Sequence, residues 1–120
     1  MQHELNRRRP GQSSISTPRK ESDLVECVSG MEDGRTLGSP LCFIVRNENV
    51  KKADYDAFSN VPRPGHADYT YLKKYGIKAA SGGGRSSARE TIGRVVAGAV
   101  AKQYLSKFGI GFASWVHSVG

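Results

Sequence analysis

Two short apolar runs occupy the first half of the chain. Leu24-Val25-Glu26-Cys27-Val28 is closed by Ser29-Gly30 and predicts a strand. Leu41-Cys42-Phe43-Ile44-Val45 has five apolar residues in a row and predicts a strand buried on both faces. Helical spacing takes over after residue 66. Tyr69, Leu72 and Tyr75 place a helix over Asp68 to Tyr75, with Gly76 as its left-handed cap. The longest pattern follows: Ile92, Val95, Val96, Ala99 and Val100 stand at i, i+3, i+4, i+7 and i+8, the stripe of a helix packed on a core. Ser87-Ala88-Arg89-Glu90 reads as its capping box, and the helix is expected to reach about Lys107, before Gly109. Gly93, Ala97 and Ala101 give it a small-residue face. Gly111-Phe112-Ala113-Ser114-Trp115-Val116 predicts a final aromatic strand.

The intervening stretches are punctuated by turn formers. Residues 1–22, with Arg7-Arg8-Arg9-Pro10-Gly11 and Thr17-Pro18-Arg19-Lys20, read as loop, as do Glu32-Asp33-Gly34 and residues 46–65. The alternation of elements predicts an α+β chain, part of a β-α sandwich, with one long helix after a Gly-rich loop. Three strands and one strong amphipathic helix cannot cover one another completely.

Composition narrows the partners. Hydrophobic residues are 38% of the 120, and the 14 glycines bring the apolar share to about half, as in ordinary globular domains. No apolar run approaches the roughly 20 residues needed to cross a bilayer, and the arginine-rich start lacks a secretory core. Lys and Arg number 18 against 11 acids, a net charge of +7, which favours an anionic partner. Cys27 and Cys42 sit in apolar sequence and are expected to be buried free thiols.

The chemistry concentrates in two segments. In Ser81-Gly82-Gly83-Gly84-Arg85-Ser86-Ser87, three glycines precede a helix start, where free amides and the helix dipole favour a phosphate. Arg85 and Arg89 can add charge-assisted bonds, and the serine hydroxyls neutral ones. A flexible connection to an ordinary capped helix is the plainer alternative, and the Gly-Lys-Ser/Thr ending of a P-loop is absent. The second segment is Arg63-Pro64-Gly65-His66-Ala67-Asp68-Tyr69. Its turn presents His66 near a helix start, and histidine is the side chain best suited to proton movement near neutral pH. A lone histidine is more often structural, and His3 and His117 have no comparable setting. Asp68 reads as a helper that orients the helix start. No Cys or His pair has metal-ligand spacing. The alternative of a basic nucleic-acid-binding module rests on Arg7-Arg8-Arg9, which lacks interleaved aromatics.

Taken together, these segments resemble the chorismate synthase family. Arg-Arg-Arg-Pro-Gly at 7–11, Arg-Pro-Gly-His-Ala-Asp-Tyr-Thr-Tyr at 63–71, Lys-Tyr-Gly at 74–76 and Gly-Gly-Gly-Arg-Ser-Ser-Ala-Arg-Glu-Thr at 82–91 are similar to that family's motifs, in its order, and Arg94-Val-Val-Ala-Gly-Ala-Val-Ala continues the match. The resemblance implies a 1,4-elimination of phosphate from 5-enolpyruvylshikimate 3-phosphate to give chorismate, with reduced FMN required and no net redox change. It implies that His66 lies against the flavin and controls its protonation. Arg85, Ser86 and Ser87 would contact FMN, and Arg8, Arg63 and Arg89 phosphate or carboxylate groups. NADPH would serve only to reduce flavin in bifunctional members. A cytoplasmic homotetramer, acting on a small molecule and on neither nucleic acid nor membrane, is the expected setting. Ser14 stands where many bacterial members have arginine, so that contact is not carried over. The chain, 1–120, is expected to be one partial domain, lying after a family segment that supplies another catalytic histidine and before those that complete the flavin site. On its own it is expected to be inactive.

Overall fold

In a computed structural model, residues 1–16, 21–48, 61–79 and 82–119 are described. The chain forms α1 (Gln2–Arg8), β1 (Val25–Ser29), β2 (Met31–Glu32), β3 (Arg35–Thr36), β4 (Cys42–Val45), α2 (Asp68–Tyr75) and α3 (Thr91–Ser106), with 3-10 turns at Gly84–Ser86 and Ala88–Glu90 before α3. Helices and small antiparallel sheets are mixed, in keeping with the α+β expectation.

The helix α3 organises the packing. Ile92, Val96 and Ala99 are buried, as the apolar spacing requires, with Val95 and Val100 half-buried beside them. Against Ile92 and Val96 lies Leu5 of α1, together with Met1, Val25, Phe43 and Val45. Leu5 is fully buried. Replacing it with alanine is expected to cost about 2–5 kcal/mol, because a large aliphatic side chain is removed from the centre of a small core. Urea unfolding of the chain measures this, and an unchanged midpoint would mean that α1 is not docked on α3.

The helix α1 departs from the loop expected over residues 1–22. Its sequence has one apolar residue, Leu5, and so no periodicity to detect. Tertiary packing holds it instead, with Glu4 bonded to Lys102 Nζ of α3 at 3.1 Å and to Arg7 at 3.3 Å. Arg7 and Arg8 in its last turn suit the negative end of the helix dipole. Gln2 fastens β1 to α1: its side-chain amide donates to Asp23 O at 3.1 Å, and its Oε1 accepts from Val25 N at 3.0 Å.

β1 and β4 pair antiparallel, Val25 opposite Val45 and Cys27 opposite Phe43, and the register slips between Cys27 and Ser29 through a bulge. β4 is not buried on both faces. Phe43 and Val45 face the core under α3, whereas Cys42 and Ile44 are exposed, since among the described residues β4 has a single neighbouring strand and a helix on one side. Both cysteines are free thiols but exposed, which corrects their expected burial. β2 and β3 form a small hairpin around Asp33-Gly34, both at positive φ as a two-residue primed turn requires.

At the far end the expected strand changes, while the helix stops within a residue of the expected place. Residues 111–116 form no strand among the described residues, and Trp115 and Val116 are about four-fifths exposed. The α3 helix ends at Ser106, and Gly109, at φ +73°, lets Ile110 N close onto Leu105 O at 3.2 Å. The capping box is half-formed: Ser87 Oγ accepts from Arg89 N at 3.3 Å, while the Glu90 carboxylate turns to Arg85. Residues 17–20, expected as loop, most of the polar stretch after Arg46, and Ser81 lie outside the described residues.

Candidate functional site

The turn Arg63-Pro64-Gly65-His66 leads straight into α2, whose first residue is Asp68. Gly65, at φ +67°, bends the chain so that His66 N donates to Arg63 O at 3.3 Å. This folds three charged or titratable side chains onto one point. The Asp68 carboxylate accepts from Arg63 Nε at 2.7 Å and Nη2 at 3.1 Å, a bidentate fork, and from Arg63 N at 3.3 Å. His66 Nδ1 lies 2.9 Å from Asp68 Oδ1 and 3.2 Å from Arg63 Nη2. Asp68 is buried, whereas the Arg63 and His66 side chains keep about a quarter of their surface exposed.

The hydrogen bonds from Arg63 hold the Asp68 carboxyl well below the usual carboxylate range, outweighing the opposing effect of burial. A carboxylate whose folded pKa is depressed stabilises the fold above its unfolded value of roughly 3.9 and loses that contribution as pH falls further. The stability difference between the wild type and Asp68→Asn is therefore expected to be present at pH 5 and to shrink as the pH falls below about 4. Denaturant titrations from pH 5 downwards test it; a difference unchanged well below pH 4 would assign the effect to something other than the carboxylate.

The glycine loop reaches this cluster through Gly83. A Cβ built on Gly83 would lie 2.8 Å from His66 Cε1, 3.0 Å from Arg63 Nη2 and 3.1 Å from His66 Nε2, and its φ is +89°. Only glycine combines that backbone with that approach. Two motifs separated in sequence are thus in contact, with the bare Cα of one against the imidazole edge of the other.

Beyond Gly83, the amides expected to be free for an anion are partly occupied. Ser86 N and Ser87 N donate to Gly83 O and Gly84 O, and Glu90 N to Ser87 O, each at 3.0 Å. Recognition of an anion here therefore falls more on side chains. Arg85 is largely exposed, its Nη1 3.0 Å from Glu90 Oε1, and Ser86 Oγ donates to Gly83 O at 2.6 Å.

Arg89 is placed differently. Its Nη2 donates to Arg46 O at 2.9 Å and lies 3.0 Å from Asp23 Oδ1, a charge contact rather than an aligned hydrogen bond. Its Nη1 is 3.9 Å from Glu21 Oε1. Arg8 Nη1 reaches the other Asp23 oxygen at 3.4 Å. Asp23 is fully buried and Glu21 nearly so. Nothing in the spacing of Glu21-Ser22-Asp23 marked these acids as partners of Arg8 and Arg89.

Next to Arg89, a groove of about 750 Å³ runs between β4 and α3. Phe43, Val45, Ile92 and Val96 give it an apolar wall, and Gly82, Gly84, Ser87, Arg89 and Glu90, whose carboxylate is paired with Arg85, a polar end. That donor set fits a flat aromatic cofactor carrying a phosphate: apolar side chains for the ring, hydroxyl, glycine backbone and guanidinium for the anion. Of the expected site residues, Arg63 and His66 meet at Asp68, Ser87 and Arg89 line the groove, and Arg8 joins Arg89 through Asp23.

The family described as chorismate synthase matches residues 1–120, and the chain belongs to that family. It is 57% identical to the chorismate synthase of Methanococcoides burtonii over 120 residues, covering all of this chain and 33% of that protein. It is 58% identical to the Schizosaccharomyces pombe chorismate synthase over 121 residues, covering all of this chain and 31% of the relative. Against the enzyme of Prochlorococcus marinus strain NATL1A the identity is 61% over 108 residues, 90% of this chain and 30% of the relative. The chain spans about a third of the length of these curated relatives.

Proposed function

We propose that these residues are part of the site at which a chorismate synthase eliminates phosphate and a ring proton from 5-enolpyruvylshikimate 3-phosphate to give chorismate, the last common step towards the aromatic amino acids. The observation that carries the reading is the contact of Gly83 with the Arg63-His66-Asp68 cluster, which joins the expected anion loop to the expected proton-handling residue.

In this reading the chain holds anions and moves a proton. Arg63 directs its fork onto Asp68, which places a guanidinium, the group suited to phosphate and carboxylate, beside His66. Arg8 and Arg89 carry their guanidinium groups beside Asp23, and Arg85, Ser86 and Ser87 would hold the phosphate of FMN, Ser87 from the lining of the groove and Arg85 and Ser86 from the turn before it. Reduced FMN, when bound, supplies electron density to the substrate and is not consumed. His66 takes or gives a proton at its Nε2 edge, the edge that faces Gly83. NADPH is needed only where a member reduces its own flavin. The completed protein is a β-α sandwich, tetrameric and cytoplasmic. Among the described residues no helix is long and apolar enough to cross a membrane.

A basic nucleic-acid module has less support, because Arg8, Arg46, Arg63, Arg85 and Arg89 each face a carboxylate of this same chain. A DNA duplex should compete poorly with FMN or substrate at moderate salt.

The test is a chimera in which residues 1–120 replace the matching third of the Methanococcoides burtonii chorismate synthase. Anaerobic phosphate release with reduced FMN and 5-enolpyruvylshikimate 3-phosphate is expected from the chimera and not from the 120 residues alone. A folded chimera with no turnover, beside an active parent, overturns the reading.

A further inference from the structure

Two of the arginines read as ligand contacts come from distant segments and end on one carboxylate. Arg8 closes α1 and Arg89 stands just before α3. Arg8 Nη1 donates to Asp23 Oδ2 at 3.4 Å, and Arg89 Nη2 forms an ion pair with Oδ1 at 3.0 Å. Two guanidinium groups brought this close repel one another, and the carboxylate between them offsets that repulsion. The charges are also layered by depth. The side chains of Asp23 and Glu21 are 0% and 3% exposed, whereas those of Arg8 and Arg89 are each 25% exposed. An anion arriving from solvent meets guanidinium before carboxylate.

Asp23 is held more firmly than an ordinary loop residue. Its φ is +46°, a conformation that Asp and Asn tolerate better than most side chains do. The Gln2 side chain pins the backbone on both sides, donating to Asp23 O at 3.1 Å and accepting from Val25 N at 3.0 Å. Gln2 and Arg8 both belong to α1, so one helix grips the backbone of Asp23 with its first residue and the carboxylate with its last. Arg89 is tied by its hydrogen bond to Arg46 O at 2.9 Å and by Glu21, which accepts from Glu48 N at 3.3 Å. Asp23 Oδ1 itself has no aligned hydrogen bond, despite its burial. A buried acceptor left so, on a left-handed backbone, costs stability that the core does not need.

We propose that Asp23 is a positioning residue that sets Arg8 and Arg89 side by side as one clamp for a phosphate group. Being fully buried, it touches no ligand. It acts through the two guanidinium groups, offsetting their repulsion and fixing where they stand before the anion arrives. This deepens the reading of Arg8 and Arg89 as anion contacts and rests on it. It also predicts a sign opposite to that of charge counting. Deleting a negative charge beside two cations should by charge alone tighten anion binding. Where that charge keeps the cations in place, its loss weakens binding.

The experiment titrates inorganic phosphate at low salt into the 120-residue chain and follows the arginine Nε–Hε resonances by NMR. Those of Arg8 and Arg89 are assigned by their loss in Arg8→Lys and Arg89→Lys. In the wild type both are expected to move along one binding curve. Asp23→Asn keeps the side-chain shape and the backbone preference but not the charge. Its phosphate affinity is expected to fall by roughly tenfold, about the worth of one charge-assisted contact. Asp23→Gly, free to adopt the same positive φ, takes its place if the Asn variant does not fold, as a urea midpoint shows. Equal or tighter phosphate binding in a folded variant lacking the carboxylate overturns the proposal. So do separate curves, or no response of the two arginines, in the wild type. Titrating FMN and 5-enolpyruvylshikimate 3-phosphate separately into the chimera shows which phosphate the clamp takes, as the ligand whose affinity falls in Asp23→Asn. An inactive chimera counts against the function proposed above and leaves the phosphate result where it stands.

Discussion

Replacing His66 by alanine in the chimera is expected to lower turnover by ~10²–10⁴ while substrate and FMN affinities stay within a few-fold, the signature of a lost general acid–base group. The geometry explains why the loss should be selective. His66 takes no part in the apolar cluster of Leu5, Ile92 and Val96, and its ring is a quarter exposed. Removing it leaves Asp68 with the three bonds from Arg63, so the buried carboxylate remains satisfied. Stability should therefore change little. Steady-state phosphate release, flavin titration and a urea midpoint together decide the matter. Equal losses of turnover and stability would make His66 a structural residue and remove the chain's expected proton carrier.

A related substitution checks the same cluster from the glycine side. Gly83→Ala places a carbon against both the His66 ring and the Arg63 guanidinium, at a φ that alanine tolerates poorly. Two flexible side-chain ends can move aside, so the fold should survive while turnover falls. Unchanged turnover with a folded protein would mean that ring placement is not critical.

What the sequence allows one to see depends on how local each feature is. The α3 helix is local: five apolar residues at helical spacing announce it, and the same residues are those that pack. The Arg63-His66-Asp68 cluster is nearly as local, since six consecutive residues turn back on themselves. The helix α1 is the opposite case, a polar run of 7 residues with one buried leucine whose partners on α3 lie about 90 residues away. The β4 run misleads for a different reason. Five apolar residues suggest two covered faces, but burial depends on neighbours, and among the described residues β4 has one strand beside it and one helix over it. Cys42, on its open face, is exposed for the same reason. Arg89 stands at the helix start just after the glycine loop, where the sequence predicts a charge-assisted contact to an anion. The buried acids that neutralise it, Asp23 and Glu21, come from a distant segment whose sequence resembles any polar loop.

That difference in neighbours separates two arginines that the loop motif presents as equivalent. Arg85→Ala is expected to weaken the binding of FMN or substrate by ~1.5–3 kcal/mol, the worth of one charge-assisted contact, with little change in stability. Its side chain is about four-fifths exposed, and a surface pair such as that with Glu90 contributes little. Arg89→Ala is expected to unfold the chain more easily, by roughly 3–5 kcal/mol, because it takes their cationic partner from Asp23, fully buried, and Glu21, nearly so. Arg8, at 3.4 Å from Asp23, moderates the loss without replacing the guanidinium that bridges Asp23, Glu21 and Arg46 O. Arg89→Lys keeps the charge but not the fork, so it should recover only part of the stability. The decisive variant is Arg89→Ala combined with Asp23→Asn. If the cost is an uncompensated buried charge, the second substitution removes that charge and restores much of the stability, while ligand affinity stays low because the guanidinium at the polar end of the groove is still missing. Urea midpoints and flavin titrations of the four proteins separate the two effects. A double variant no more stable than Arg89→Ala alone would show that Asp23 is not what Arg89 neutralises. A double variant with affinity restored as well would show that Arg89 serves the fold and not the ligand.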